Sequence, residues 1–411
     1  MELLIIAIRN VFRNRRRSIL NIIALTVGIS IMFIATGWIR GYFTVLYDGI
    51  INAETGHIQL VHDRYIDESR RLPLDLNVGN YATLREELET IDRIKAATGR
   101  INFTMKLSNG RDSLRMMGRA IHPRHEQEVT VISEHIVEGY YLTKQEGVLI
   151  GAPAAEKLEI ETGDTIFITA RDRYGVENFI DAPVVGLYEL GYPAADNHIV
   201  FMDLETARFL LSMENEVTKV VVKLEEGYAP EDVLPFVERV VENENVAAFT
   251  WQKFAQTLVS AVKADMNGFI IMLIIIYLLI LLGILNSMSM SVHERVREIG
   301  TLRAIGMKKR ALFRMFILES FAVAVIASIA AFILGGAIAL YIGTVGFDFA
   351  KYVPADMPIP FGNRFTADFR YYDFVFGIGV GTVTAVLGGL LPARRAARFP
   401  IAEAMGSANL G

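Results

Sequence analysis

The chain contains no cysteine among its 411 residues. That excludes structural disulfides, cysteine–zinc sites and every thiol nucleophile, and it fits any redox compartment. Also absent are a glycine-rich phosphate loop ending in Gly-Lys-Ser/Thr, a His-Glu-x-x-His helix and a Gly-x-Ser-x-Gly elbow. No catalytic site of a familiar kind is visible, and only these missing motifs speak against a membrane-anchored enzyme. Charge inside the long apolar runs is scarce too. Apart from Asp373 at the very start of the fourth run, Glu319 is the one acid or base there, and it sits near Arg314 at a span end, where snorkelling or a salt bridge explains it better than a proton relay.

What is present is hydrophobicity: 52% of residues are apolar against 21% charged, with a mean hydropathy of +0.34. That is too apolar for an ordinary soluble protein and too charged for one lying wholly in a membrane. The length suggests two or three folding units. Four runs, 18–39, 268–290, 315–345 and 373–391, are apolar all round and long enough to cross a bilayer as helices. The first has an apolar core of about twenty residues, longer than that of a cleavable leader, and no small-x-small site follows it, so it is expected to remain as an anchor.

Basic residues orient the spans. Arg9, Arg13, Arg15, Arg16 and Arg17 precede the first; Arg295, Arg297, Arg303, Lys308, Lys309, Arg310 and Arg314 follow the second; Arg394, Arg395 and Arg398 follow the fourth. Between the third and fourth, Lys351, Arg364 and Arg370 are offset by Asp348, Asp356 and Asp368. Both termini are therefore expected in the cytoplasm. The resulting division is 1–40 (basic segment and first span), 41–265 (external domain), 266–290 (second span), 291–314 (cytoplasmic loop), 315–345 (third span), 346–372 (short external loop), 373–391 (fourth span) and 392–411 (cytoplasmic tail). The fold class is a membrane protein of four transmembrane helices with a large external α/β domain between the first two.

The external region alternates strand and helix patterns. Residues 55–62 alternate apolar and polar as a half-buried strand does. Over 80–98, Leu84, Leu88, Ile91 and Ile94 share a helical face. Residues 101–121 read as two strands around Asn109-Gly110, a hairpin signal. The segment 147–172 gives strand, short helix, turn and strand, and the pattern continues through 181–211. A second βα unit, strand, helix and strand, occupies 218–251. The early helix and this late unit are expected to form one lobe and the strand-rich middle another. His122 and His125 are too few to define a metal site, and nothing suggests nucleic acid.

In the third and fourth spans small residues recur every fourth position: Ala327, Ala331, Gly335, Ala339 and Gly343, then Gly377, Gly381, Ala385 and Gly389. Such rows permit close helix packing. The stretch 291–313 sits between two of these apolar runs and is densely charged. On a continuous helix Val292, Val296 and Ile299 form an apolar stripe, with Leu302 about 60° away. Beside it Glu294 and Glu298 form a like-charge pair at i, i+4, partly relieved by Arg295 and Arg297. Gly300 and Gly306 then loosen or end the helix. The positive-inside rule explains the cations but not the paired glutamates or the stripe. A helix docking into a groove of another protein explains all three.

Residues 294–321, ERVREIGTLRAIGMKKRALFRMFILESF, resemble the cytoplasmic coupling loop of the FtsX/MacB family of ABC transporter permeases. The tail LLPARRAARFPIAEAM resembles that family's second signature, and GVLIGAPAAEKLEIETGDTIFIT with VVGLYE is similar to its external domain. TGHIQLVH after the first span resembles the lipoprotein-releasing permeases of the LolC/LolE kind. The resemblance implies a dimer of permeases, the second an identical copy or a paralogue, bound to two copies of a separate ATPase. ATP and magnesium would lie on that partner, with no cofactor or metal on this chain. The coupling helix would be formed by Val292, Glu294, Arg295, Val296, Arg297, Glu298, Ile299, Gly300, Leu302, Arg303, Ala304 and Gly306, and helix packing would use Ala331, Gly335, Ala339, Gly377, Gly381 and Gly389. The function implied is non-catalytic: mechanical movement of the external domain to extract lipoproteins or similar amphipathic cargo from the cytoplasmic membrane, with a periplasmic carrier or adaptor. Macrolide or peptide export and signalling to cell-wall hydrolases are the alternatives, and the long external domain counts against the last.

Overall fold

The computed structural model describes residues 15–398 together with Arg9 and Arg13, apart from 144–146, 243–244, 349–363 and 366. The side chains of Arg15, Arg16, Arg17, Asp348, Lys351, Asp356 and Arg364, used above for orientation, lie outside the described residues, as does the tail beyond Arg398. The chain divides into two compact units, Thr44–Ser260 with Phe349–Asn363, and Met1–Phe43 with Ala261–Asp348 and Arg364–Gly411.

Helix α1 (Arg15–Ile50) opens the chain and is prolonged by a π turn, Ile51–Thr55, that stops at Gly56 with φ 61°. The external unit then runs β1 (Ile58–His62), α2 (Tyr81–Glu89), β2 (Ile94–Ser108), β3 (Ser113–Ile121), α3 (Pro123–Val129), β4 (Ile136–Gly139), β5 (Val148–Gly151), β6 (Thr165–Arg171), β7 (Glu177–Tyr188), β8 (Ile199–Asp203), α4 (Leu204–Leu211), β9 (Lys219–Leu224), α5 (Pro230–Val240) and β10 (Val246–Thr250). Strands β10-β1-β9-β2 form an antiparallel sheet, built from β1-α2-β2 and β9-α5-β10, and α2 and α5 touch.

The 15-residue β2 is long enough to serve two layers. Its start pairs with β9 and its end with β3 and β6. From there pairing runs β2-β3-β8-β5-β7-β6 and back to β2, a closed ring of six strands whose five besides β2 come between β2 and β9 in the sequence. Closure leaves these strands no free edge. One apolar core, including Leu88, Phe103, Ile168, Val200 and Val222, runs through both parts. At the β2–β3 hairpin Asn109 Oδ1 accepts from the Arg111 and Asp112 amides at 2.9 and 2.7 Å, and Gly110 adopts φ 89°.

One expectation fails here. The helix anticipated over 80–98 ends at Glu89, and Ile94 begins β2. Apolar spacing at Ile91 and Ile94 continues the helical period, but the ladder to Leu224–Lys219 of β9 is the stronger constraint.

In the other unit α6 (Gln256–Glu294), α7 (Val296–Ala304), α8 (Lys309–Val345) and α9 (Tyr371–Arg398) complete the fold. Helices α1, α6, α8 and α9 are each long and apolar enough to cross a membrane, and each outruns its apolar run. The small-residue rows are buried at Ala327, Ala331, Gly335, Ala339, Gly377, Gly381, Ala385 and Gly389, whereas Gly343 is exposed. Although α8 and α9 pack along one another, much of the room goes to α1. Gly335 faces Ser30 and Phe33, and Gly377 and Gly381 face Ile29; Gly389 faces Ser320 of α8. Helix α6 instead exposes Ile270, Ile271, Ile274, Ile275, Leu278, Leu279 and Leu282.

Candidate functional site

The charged stretch after α6 is an elbow. Helix α6 ends at Glu294, Arg295 adopts φ −102° and ψ 15°, and α7 starts at Val296. Glu294 and Glu298 therefore do not share a helix. Glu298 lies in the first turn of α7, where the helix dipole favours an anion, and it pairs with Arg13. The i, i+4 spacing of a continuous helix therefore does not apply to the two glutamates.

The turn is fixed from inside. The Arg295 guanidinium folds inward, and its Nη1 donates to both carboxylate oxygens of Glu319 on α8 at 3.0 Å. Both side chains are buried. Glu319 is thus salt-bridged, with Arg295 rather than the nearer Arg314 as partner. At the far end Gly306 has φ 103°, its amide donates to Arg303 O at 3.1 Å, and Met307 N donates to Leu302 O at 3.0 Å. This pair of bonds is a Schellman closure, which satisfies the last carbonyls of α7.

The apolar stripe faces the protein itself. Val292 and Ile299 are buried with Leu312, Met315, Phe316, Ala393 and Ala396, and Leu302 packs beside them. That corrects the expectation that the stripe awaits another protein: residues distant in sequence already cover it. Val296 is half-buried, Gly300 is buried, and Arg303 donates to Ala397 O of α9 at 3.4 Å. The face left open holds Glu294, Arg297, Glu298, Thr301, Ala304, Ile305 and Gly306, and Ile305 is 79% exposed. Of the residues singled out from sequence, about half therefore build the elbow from within and half form its outer face. Ile305, the most exposed apolar side chain there, was missed because it falls off the stripe.

A second ion pair joins the other ends of two spans. Arg40 of α1 donates from Nη1 and Nη2 to the two carboxylate oxygens of Asp373 on α9, at 2.6 and 2.7 Å, and its guanidinium lies 5.0 Å from the Tyr372 ring centre. Nothing in the sequence marks this pair, because both groups sit at the margins of apolar runs.

In the external unit the π turn after α1 is held by a buried polar network. Arg100 donates to Glu126 from Nε and Nη2 at 3.2 and 2.6 Å and also to Glu54 O. Arg119 donates to Glu54 Oε1 at 2.6 Å and to Asn102 Oδ1 at 3.3 Å. Gln59 donates to Thr55 O at 2.7 Å, and Lys219 donates to Gln59 at 3.4 Å. Burial, with Arg119 and Arg100 nearby, pushes the Lys219 ammonium down to about 7. Gln59, Arg100, Asn102, Arg119 and Lys219 lie on strands where alternation reads as a polar outer face, and Glu54 and Glu126 lie on short helical turns, so nothing in the sequence marked them.

The rings of His122 and His125 stack at 3.8 Å, and His125 meets Arg85. Burial, His122 and Arg85 lower His125 to about 4. Among the described residues no three His, Asp or Glu side chains gather as a metal site.

The chain is similar to known proteins over both units. A family profile described as MacB-like periplasmic core domain matches residues 18–239, more than half the chain, and one described as FtsX-like permease C-terminal matches 270–401. The lipoprotein-releasing system transmembrane protein LolC of Xylella fastidiosa is 24% identical over 333 residues, covering 77% of this chain and 78% of that one. LolE of Haemophilus influenzae is 18% identical over 94% of this chain and 93% of its own. The macrolide export ATP-binding/permease protein MacB of Shewanella oneidensis is 35% identical over 124 residues, 30% of this chain and 16% of that one. Profiled over both its external and its membrane unit, the chain belongs to the FtsX/MacB family of ABC transporter permeases.

Proposed function

We propose that this permease converts ATP hydrolysis on a separate ATPase into movement of its external unit, and so releases lipoproteins or similar lipid-anchored cargo from the cytoplasmic membrane. The observation that carries this reading is the elbow. Its inner side is locked to α8 and α9 through Glu319 and Ala397, while its outer face stays open. A helix so held passes a push from a docked protein into the spans. Two ATPase copies with ATP and magnesium, a second permease and a periplasmic carrier complete the proposed assembly, with both termini cytoplasmic. Likeness to LolC and LolE over most of their length supports lipoproteins as cargo.

The test is reconstitution of the chain with its ATPase in vesicles. Glu298→Lys with Ile305→Asp is expected to abolish stimulated ATP hydrolysis and co-purification of the ATPase while leaving membrane insertion intact. Normal stimulation by that variant would sink the coupling role. The stretch of higher identity to the macrolide exporter favours export as a second reading. Transfer of a radiolabelled lipoprotein to a soluble carrier, against uptake of a macrolide by inverted vesicles, separates the two.

A further inference from the structure

We infer that a cleft between the basic ends of α6 and α9 binds the phosphate headgroup of an anionic membrane lipid. The cavity, about 530 Å³, is walled by Ser289, Val292 and His293 of α6 and by the Leu391–Arg398 end of α9. That volume lies within the range of small-molecule sites, roughly 300–1,000 Å³. Arg394 and Arg398 stand one turn apart on one face of α9, and Arg395 flanks them; all three line the cleft and are exposed.

Neighbouring arginines are engaged in the fold, Arg295 with Glu319 and Arg13 with Glu298. Among the described residues no acid pairs with Arg394, Arg395 or Arg398. The positive-inside rule alone accounts for cations at this end of the helices. It does not account for a cavity lined also by the apolar Val292, Leu391 and Pro392, of which Leu391 is half exposed. Guanidinium groups above an apolar wall, at the end of two spanning helices, fit an amphiphile with an anionic head. A free phosphate has no use for the apolar wall.

The cleft also adjoins the elbow, because Arg303 of α7 is bonded to Ala397 O between the cleft's arginines. A lipid seated there braces α9 where α7 holds it. The inference rests on the proposed orientation, with this end at the cytoplasmic leaflet.

The experiment places the full-length chain in phosphatidylcholine nanodiscs containing some phosphatidylglycerol and counts retained lipid by native mass spectrometry. It needs no ATPase, so its failure is distinct from failure of the coupling role. The wild type is expected to retain phosphatidylglycerol over phosphatidylcholine. Arg394→Gln with Arg395→Gln and Arg398→Gln is expected to lower retention about 100-fold, each cation contributing about fivefold. Lys308→Gln with Lys309→Gln and Arg310→Gln removes equal charge outside the cleft and is expected to keep the lipid. Equal loss in both triple variants, or normal retention in the first, overturns the proposal. Displacement by excess inorganic phosphate also overturns it, in favour of a free-phosphate site. If the arginine triple fails to insert, Leu391→Glu, a change at an exposed side chain, is expected to give the same loss.

Discussion

One guanidinium nitrogen of Arg295, Nη1, lies 3.0 Å from both carboxylate oxygens of Glu319, a buried pair at the turn between α6 and α7. Breaking a buried ion pair by removing its acid costs about 3–5 kcal/mol. Glu319→Ala is therefore expected to lower the thermal midpoint in detergent and to uncouple ATP hydrolysis. Arg295→Met with Glu319→Leu is expected to recover most of the stability but not the coupling. A double variant as unstable as the single one would show that the pair's charge is not what matters.

Gly306 needs its positive φ, and nothing lies within 4 Å of where a Cβ would project. The cost of substitution is then conformational only, about 1 kcal/mol for alanine. Stimulated ATPase activity is expected to fall in the order Gly, Asn, Ala, Val, since asparagine tolerates the left-handed region and a β-branched residue does not. Equal activities across this series would show that the end of α7 is not fixed by this turn.

Gly381 gives α1 its place, because a side chain there would run into Ile29. Gly381→Val is expected to destabilise the membrane unit by about 1–3 kcal/mol through overpacking. Ile29→Ala in the same chain restores part of the loss if the clash is the cause, as a double-mutant cycle in thermal denaturation reveals.

Glu126 carries the bidentate partner of Arg100 and also accepts from Thr130 Oγ1 at 3.1 Å. Glu126→Ala removes the carboxylate partner of a fully buried guanidinium and leaves it the Glu54 carbonyl, at a cost of about 3–5 kcal/mol. Hydrogen exchange on the full chain is expected to show faster opening at Glu54–Gln59 and β2. Unchanged protection there would mean that the network does not hold the turn after α1.

His57 sets an acid limit on the external unit. Burial, then Lys223, lowers it to about 4, and its Nδ1 accepts from the Leu224 amide at 3.2 Å, a bond the protonated ring loses. The unfolded chain takes up this proton near pH 6.5 and the folded one only near 4, so stability falls as pH drops through that window. The loss is on the order of 1–2 kcal/mol once partial exposure is allowed for. His57→Asn is expected to flatten the profile between pH 6.5 and 4, read by thermal denaturation against pH. An unaltered slope would assign the effect to His125 or to carboxylates.

The sequence by itself determined the elements whose signals are local. Four apolar runs become helices because a helix satisfies its backbone within the run itself, whereas a strand would need a closed barrel of partners. The Asn109-Gly110 turn, the strand after it and the βα unit ending at Thr250 follow from turn chemistry and period. The tertiary structure decided what lies against what. The stripe Val292–Ile299 is visible as apolar in sequence, yet only folding brings Phe316, Ala393 and Ala396 over it, which turns the opposite face outward. Arg40 and Asp373 lie 333 residues apart and Arg100 and Glu126 lie 26 apart. Opposite charges attract in every arrangement of the chain, and only the packing of apolar surface around them selects the one that is buried.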